Sequence, residues 1–143
     1  MGGECYAEGD VDGAFEYWTK AAKLGDINAH HQLGVAYERG YGVEKDEEKA
    51  VYHYERAATG GDPYSRFNLA CYEEKDGRVD RAVKHCIIAA KFGLLRPMKE
   101  VWRHYAQGNI TKVDLEATLR AHQAAIDATK SPEREAAQAF YGD

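Results

Sequence analysis

Residues 28–46 read NAHHQLGVAYERGYGVEKD and carry the clearest structural signal of the chain. It contains Leu33, Gly34, Tyr37 and Gly40, which together form the pattern L-G-x2-Y-x2-G. Because Leu33 and Tyr37 are four residues apart, they fall on one face of an α-helix. Gly40 stands where a helix often ends in a left-handed residue. The stretch therefore predicts a helix followed by a turn.

A second pattern of small residues occurs four times along the chain. It has the form A-x6-A-A-x2-(G/A), and its copies begin at Ala14, Ala50, Ala82 and Ala117. Offsets of 7 and 8 share a helical face with the first alanine, and the alanine pair lets a neighbouring backbone approach closely. The first three copies end in Gly, which predicts a helix end there. The fourth ends in Ala128, which predicts that this helix continues.

Together the two patterns predict repeated hairpins, each with a helix A, a turn and a helix B. Helix A is expected at about 27–39, 63–75 and 97–107, and helix B at about 11–24, 46–59, 79–92 and 112–129. The sequence Ser131-Pro132-Glu133 carries a cap, a first-turn proline and an acid in helical order. It predicts a separate capping helix over 131–141. The expected organisation is one repeat domain over 1–143, with units at about 1–26 (partial), 27–62, 63–94 and 95–129.

Composition favours the same all-α class. The chain has 143 residues, of which 22 are Ala, ten are Tyr and only three are Pro. A net charge of −5 is too small to hold such a chain open, so small and aromatic residues are expected to pack helices closely. No apolar run approaches the length of a membrane span, and the first ten residues lack the features of a secretory signal. A soluble protein is expected, with the cytoplasm slightly favoured.

Residues 27–62 resemble a Sel-one-like repeat, a relative of the tetratricopeptide repeats. The resemblance rests on the L-G-x2-Y-x2-G pattern, the turn at Gly42-Val43, and the pairs Lys49-Ala50 and Ala57-Ala58. It extends to helix B of the first unit, weakens over 63–94 and is partial over 95–129. It implies a right-handed superhelix of about three and a half helical hairpins, a solenoid that acts as a protein-binding adaptor, and it implies no chemistry.

The residues that could carry chemistry do not form a known catalytic or metal-binding pattern. His30 and His31 are adjacent and point about 100° apart on a helix, and the chain lacks the spaced Cys and His ligands of a zinc site. Gly40-Tyr41-Gly42-Val43 lacks the strand and the Lys-Ser/Thr of a phosphate loop, so its glycines are interpreted as turn formers. We therefore expect no catalytic residue, metal or cofactor.

The three cysteines cannot all pair within one chain. Cys86 stands where Trp18 and Tyr54 stand in other units, which predicts a small core residue. Some relatives carry disulfides between the helices of one hairpin, so the resemblance leaves a Cys71–Cys86 bond open.

The resemblance also implies where a partner would bind. In related repeats the exposed groove positions lie two before, two after and five after the Leu of L-G. These positions are His31, Val35 and Glu38, then Phe67, Cys71 and Glu74. In the last unit, counting back from Tyr105 gives Lys99, Arg103 and Ala106. Arg96, Lys99 and Arg103 share one helical face, so an acidic segment of a protein or peptide is the expected ligand at that end.

Three further expectations concern partners. Residues 1–62 carry a net charge of −7 and residues 63–143 a net charge of +2, which argues against nucleic acid as the ligand. Phe15, Trp18 and Ala22 have almost no preceding helix A to cover them, so weak self-association through an apolar N-terminal edge is expected. The alternative function is that of a helical regulatory or targeting part of a larger enzyme.

Overall fold

The computed structural model describes the backbone of residues 11–141 and the side chains of residues 12–129. In that range the chain is all-α, without a strand. The seven helices are α1 (Val11–Lys23), α2 (Ile27–Arg39), α3 (Glu47–Thr59), α4 (Pro63–Lys75), α5 (Val79–Ala90), α6 (Leu95–Ala106) and α7 (Lys112–Tyr141). Six of them begin and end within two residues of the predicted bounds. The helical hairpin repeat is thereby confirmed.

The turns form as the repeated glycines and acids predict. At the end of α3, Gly61 has a φ of 104°, which favours glycine. The Gly61 N–H donates to the Ala58 carbonyl at 3.0 Å, and the Asp62 N–H donates to the Ala57 carbonyl at 3.0 Å. This is the pairing of a Schellman motif, which satisfies carbonyls that a helix end leaves free. Asp26 begins α2 in a complementary way, since its carboxylate accepts the Ala29 N–H at 2.9 Å.

The chain forms two compact units, residues 1–72 (unit 1) and residues 73–143 (unit 2). The core of unit 1 has two clusters of buried side chains. One is formed by Ala14, Trp18, Ala22, Ala29 and Leu33, and the other by Ala50, Tyr54, Ala58 and Leu69. Both clusters combine small residues with one large aromatic ring, as the sequence predicts.

The structure does not show the exposed apolar edge that was expected at Phe15, Trp18 and Ala22. Trp18 and Ala22 are buried, and Phe15 is half-buried with its ring 5.6 Å from that of Tyr37. These residues do not need a preceding helix A, because α1 packs them against Ala29 and Leu33 of α2. Self-association through this edge remains a prediction, but these side chains do not supply an exposed surface for it. Residues 1–10, including Cys5, lie outside the described residues.

In unit 2 the fourth copy of the small-residue pattern has a different register from the predicted one. Thr118 and His122 are buried, whereas Ala121 is half-buried and Ala124 is exposed. The buried pair lies 36 residues beyond Ala82 and Cys86. The predicted register rested on alanines alone and was therefore off by one residue. Polar residues can take the buried positions because Thr118 donates to the Asp114 carbonyl at 2.7 Å and His122 Nδ1 donates to the Ala90 carbonyl at 2.8 Å.

The separate capping helix predicted over 131–141 is also wrong, because α7 passes through Ser131-Pro132 without a break. Proline removes one backbone donor, which disfavours a helix interior but does not always end it. Good helix formers lie on both sides, in the alanine-rich segment 121–128 and in the segment 133–139. No helix in the described range is both long and apolar enough to span a bilayer.

The buried alanines set a limit on side-chain size. Ala57 is fully buried, whereas Ala121 is only half-buried. Ala57→Leu is therefore expected to lower the free energy of unfolding by about 2 kcal/mol, the middle of the range for overpacked cores. Ala121→Leu, the matched control, is expected to change it by less than about 0.5 kcal/mol. Urea unfolding followed by circular dichroism measures both. Equal stabilities of the two variants would contradict the close packing at Ala57.

Candidate functional site

A pocket of about 640 Å³ lies at the N-terminal ends of α2 and α4, within unit 1. We call it the α2–α4 pocket; its lining includes Ile27, Asn28, His31, Asp62 and Tyr64. Ile27 and Tyr64 are exposed, so they present apolar walls to solvent. Asp62 and His31 supply the polar groups. The mixture of apolar walls with a few convergent polar groups is typical of binding sites.

A tight hydrogen-bond network holds the polar side of this pocket. Ser65 Oγ donates to Asp62 Oδ2 at 2.6 Å, and His31 Nδ1 lies 2.9 Å from both Ser65 Oγ and Asp62 Oδ2. Because the Ser65 proton is directed at Asp62, His31 is the donor to this pair. Burial alone would raise the pKa of Asp62, but the hydrogen bonds from His31 and Ser65 together outweigh it and lower that pKa. Asp62 is therefore an ionised carboxylate at neutral pH.

The trio of Ser65, His31 and Asp62 is not a nucleophilic triad. A serine nucleophile donates its proton to one histidine nitrogen while the acid holds the other nitrogen. Here a single nitrogen, His31 Nδ1, faces both partners, and Ser65 is fully buried. Asp62 also accepts the Ser65 N–H at 3.2 Å, as a residue that caps a helix does. The network positions the start of α4 against α2.

A second link joins α2 to α4 through Glu38. Its Oε1 atom accepts hydrogen bonds from the Tyr54 hydroxyl at 3.1 Å and from the Tyr72 hydroxyl at 3.0 Å. Burial is the main cause that raises the pKa of both tyrosines, and the Glu38 carboxylate raises it further. Both hydroxyls therefore stay protonated and donate. Two predicted groove residues, His31 and Glu38, thus serve to hold adjacent A helices in a fixed geometry.

The remaining predicted groove residues of unit 1 differ in exposure. Val35 is half-buried against the Tyr54 cluster, and Phe67 is also half-buried. Cys71 is exposed. The structure has Cys71 and Cys86 as thiols rather than as a disulfide, and Cys86 is buried as predicted.

In unit 2 the structure brings Glu74 and Arg103 together. Arg103 Nη2 donates to both oxygens of Glu74, at 2.7 and 2.9 Å, and Arg103 Nε donates to Glu100. The two carboxylates raise the pKa of Arg103, Glu100 having the larger effect. Lys99, Arg96 and Ala106 are exposed. The basic face on α6 therefore holds one guanidinium whose charge is already balanced within the chain.

Sequence reasoning missed the partners of these groove residues. Asp62, Ser65 and Tyr72 bond to predicted residues but were not themselves predicted as site residues. An acid before Pro63 is a helix-start signal that could have identified Asp62. His53, which did not stand out in the sequence, meets His30 with the two Nδ1 atoms 3.0 Å apart. Within the described residues, no three His, Cys, Asp or Glu side chains converge as metal ligands.

Comparison with known proteins agrees with this architecture. The family model of the Sel1 repeat matches residues 1–26 and 27–62. A crystal structure of a Sel1 repeat protein from Oxalobacter formigenes is similar with a TM-score of 0.67 and 26% sequence identity, over 80% of this chain and 50% of that chain. This chain therefore spans about half of that relative.

A second solved structure shares the fold at lower identity. It is that of c5321, a protective antigen present in uropathogenic Escherichia coli strains that displays an SLR fold. The TM-score is 0.64 with 23% sequence identity, over 76% of this chain and 25% of that chain. The family model thus identifies Sel1 repeats over residues 1–62, and both solved structures share the all-α helical repeat fold of this chain.

Proposed function

We propose that this protein binds a segment of another protein at the α2–α4 pocket and along the exposed side chains of those two helices. Sel1 repeat proteins generally mediate protein–protein interactions, and their fold is typically a non-catalytic scaffold. The observation that carries the proposal is the α2–α4 pocket itself. Its volume of about 640 Å³ accommodates one or two side chains of a bound segment.

Preorganisation supports this surface as the binding site. Hydrogen bonds fix His31 to Ser65 and Glu38 to Tyr72, so adjacent A helices keep their spacing without a ligand. A surface that is already ordered loses little conformational entropy when it binds. We infer that Ile27 and Tyr64 contact an apolar side chain, while Asp62 faces hydrogen-bond donors of the bound segment.

A separate part of the proposal is that α6 binds an acidic segment. The structure reduces the number of cations on α6 that are available to such a segment. Arg103 is engaged by Glu74 and Glu100, so Lys99 is the predicted groove cation whose charge is most open to a partner. Arg103→Glu would set three carboxylates side by side and disturb unit 2. Lys99→Glu is the cleaner test of an acidic partner, with exposed Lys84→Glu on α5 as its control.

Tyr64 provides the sharpest test of the α2–α4 pocket. Tyr64 and Tyr17 are exposed to a similar degree, 58% and 54%, but only Tyr64 lines the pocket. Tyr64→Ala is expected to weaken binding of a protein captured from the native source by about tenfold or more, as loss of an interface tyrosine does. Tyr17→Ala is expected to leave that affinity unchanged.

The measurement is fluorescence anisotropy with a labelled fragment of the captured protein. Circular dichroism of each variant checks that its helices are intact. Equal affinities of the Tyr64→Ala and Tyr17→Ala proteins would place the binding surface elsewhere.

A further inference from the structure

A second cavity of about 330 Å³ lies among α1, α2 and α3 and has an unusual lining. We call it the histidine pocket; it is lined by Lys23, His30, Tyr52, His53 and Arg56, among others. No Asp or Glu is among its lining residues. Residues 1–72 hold 13 acids and 7 Lys or Arg, which gives a net charge of −6. A pocket with four basic side chains and no acid is therefore distinct from the rest of unit 1.

The two imidazoles in this pocket are held in place on several sides. Their Nδ1 atoms are 3.0 Å apart, so one ring donates a hydrogen bond to the other. The Tyr37 ring stacks on His53 with an interplanar angle of 4°, and the Tyr52 ring meets His53 edge-on at 5.0 Å. Lys23 and Arg56 are exposed, and neither has an ion-pair partner within the described part of unit 1. The two imidazoles are thus held by their neighbours, while the two cations that line the pocket are exposed to solvent.

We propose that the histidine pocket binds an anionic oxygen group, a carboxylate or a phosphate, through Lys23, Arg56 and the His30–His53 pair. Cationic side chains and imidazole N–H groups are the donors that such oxygens bind best. A divalent metal is a poorer fit, because the histidines are the only ligands of the usual type in the lining and Arg56 repels a cation. This site is separate from the α2–α4 pocket, and its assignment does not depend on the proposed function.

Without a ligand, both imidazoles have a lowered pKa. Burial lowers the pKa of His53 to about 4, and His30 adds to that effect. Burial and Arg56 also lower the pKa of His30, while Ala22 and Asp26 raise it. An anion beside the pair would favour the charged imidazole and raise these pKa values. Binding would then take up a proton, so the affinity should increase by several fold as the pH falls from about 7 to about 5.

The test is an NMR titration of the histidine ring signals in the full chain near pH 6. Sodium phosphate and sodium acetate are added separately, with sodium chloride keeping the ionic strength constant. Saturable shifts of the His53 signals are expected with at least one of the two anions. Saturation by phosphate alone would assign a phosphate ligand, and saturation by acetate would assign a carboxylate.

Charge-neutral variants identify the binding groups without disturbing the core. Lys23→Gln combined with Arg56→Gln is expected to weaken the anion about tenfold or more, since hydrogen bonds to charged groups are among the strongest. Lys20→Gln removes the same charge from α1 outside the pocket lining and is expected to have no effect. The proposal is overturned by absence of a saturable shift with both anions or by unchanged affinity of the double variant.

Discussion

Gly34→Ala is expected to lower the free energy of unfolding by about 3 kcal/mol, the upper end of the range for overpacked sites. A Cβ atom at residue 34 would lie 2.5 Å from Tyr54 Cε1 and 2.6 Å from Tyr54 Cδ1. Real Cβ atoms essentially never come that close, so the ring or the helix must move. Tyr54 is fully buried, and its hydroxyl donates to Glu38, so a shift of the ring would disturb both its packing and this hydrogen bond. The first glycine of the L-G-x2-Y-x2-G pattern is thus needed because the Tyr54 ring on α3 leaves no room for a Cβ atom at residue 34.

Gly13→Ala is the matched control for this prediction. Gly13 also lies within a helix, α1, but a Cβ atom there would meet nothing within 4 Å. Alanine at residue 13 should raise stability by about 0.5–1 kcal/mol, because it favours the helix over the unfolded chain. Urea unfolding of both variants gives the comparison. Stabilisation by both substitutions would contradict the close approach of α2 and Tyr54.

Acidification from about pH 7.5 to about pH 4.5 is expected to lower the free energy of unfolding by about 2 kcal/mol through His53. In the folded protein the pKa of His53 is about 4, against an ordinary value of 6.5. Between these values the unfolded chain binds more protons than the folded chain, so stability increases with pH. The contribution is complete above about pH 6.5 and is lost progressively as the pH falls towards 4.

Two other groups with a shifted pKa, His30 and Asp62, do not reverse the predicted loss of stability between about pH 7.5 and about pH 4.5. The lowered pKa of His30 acts in the same sense as that of His53. Asp62 also has a lowered pKa, but its ordinary value is 3.8, so its contribution is lost only below that pH. Chemical unfolding at a series of pH values, without phosphate or carboxylate buffers, measures the dependence.

His53→Gln separates this effect from general acid denaturation. The variant lacks the titrating imidazole at residue 53. Its loss of stability between about pH 7.5 and about pH 4.5 should be smaller than that of the unchanged protein by about 2 kcal/mol. The same loss in both proteins would show that His53 does not carry the pH dependence.

Much of the fold followed from the sequence because its signals are local. Gly61 needs a left-handed conformation at a helix end, and Asp26 needs only the N–H of Ala29 to begin a helix. Such interactions lie within four residues of each other, so spacing along the chain is enough to predict them. The prediction was wrong where the local signal was ambiguous. Around Ala121 the predicted helix register was off by one residue, and at Pro132 the predicted helix start does not exist.

The candidate sites were decided by tertiary structure, because their partners are far apart in sequence. His31 meets Ser65 across 34 residues, Tyr72 meets Glu38 across 34, and His53 meets His30 across 23. Helical periodicity predicts which face a residue occupies but not which atom of the next hairpin it touches. The helices, their turns and the repeat follow from local signals in the sequence. Only the packing of one helix on the next decided which polar residues became structural links and which line a pocket.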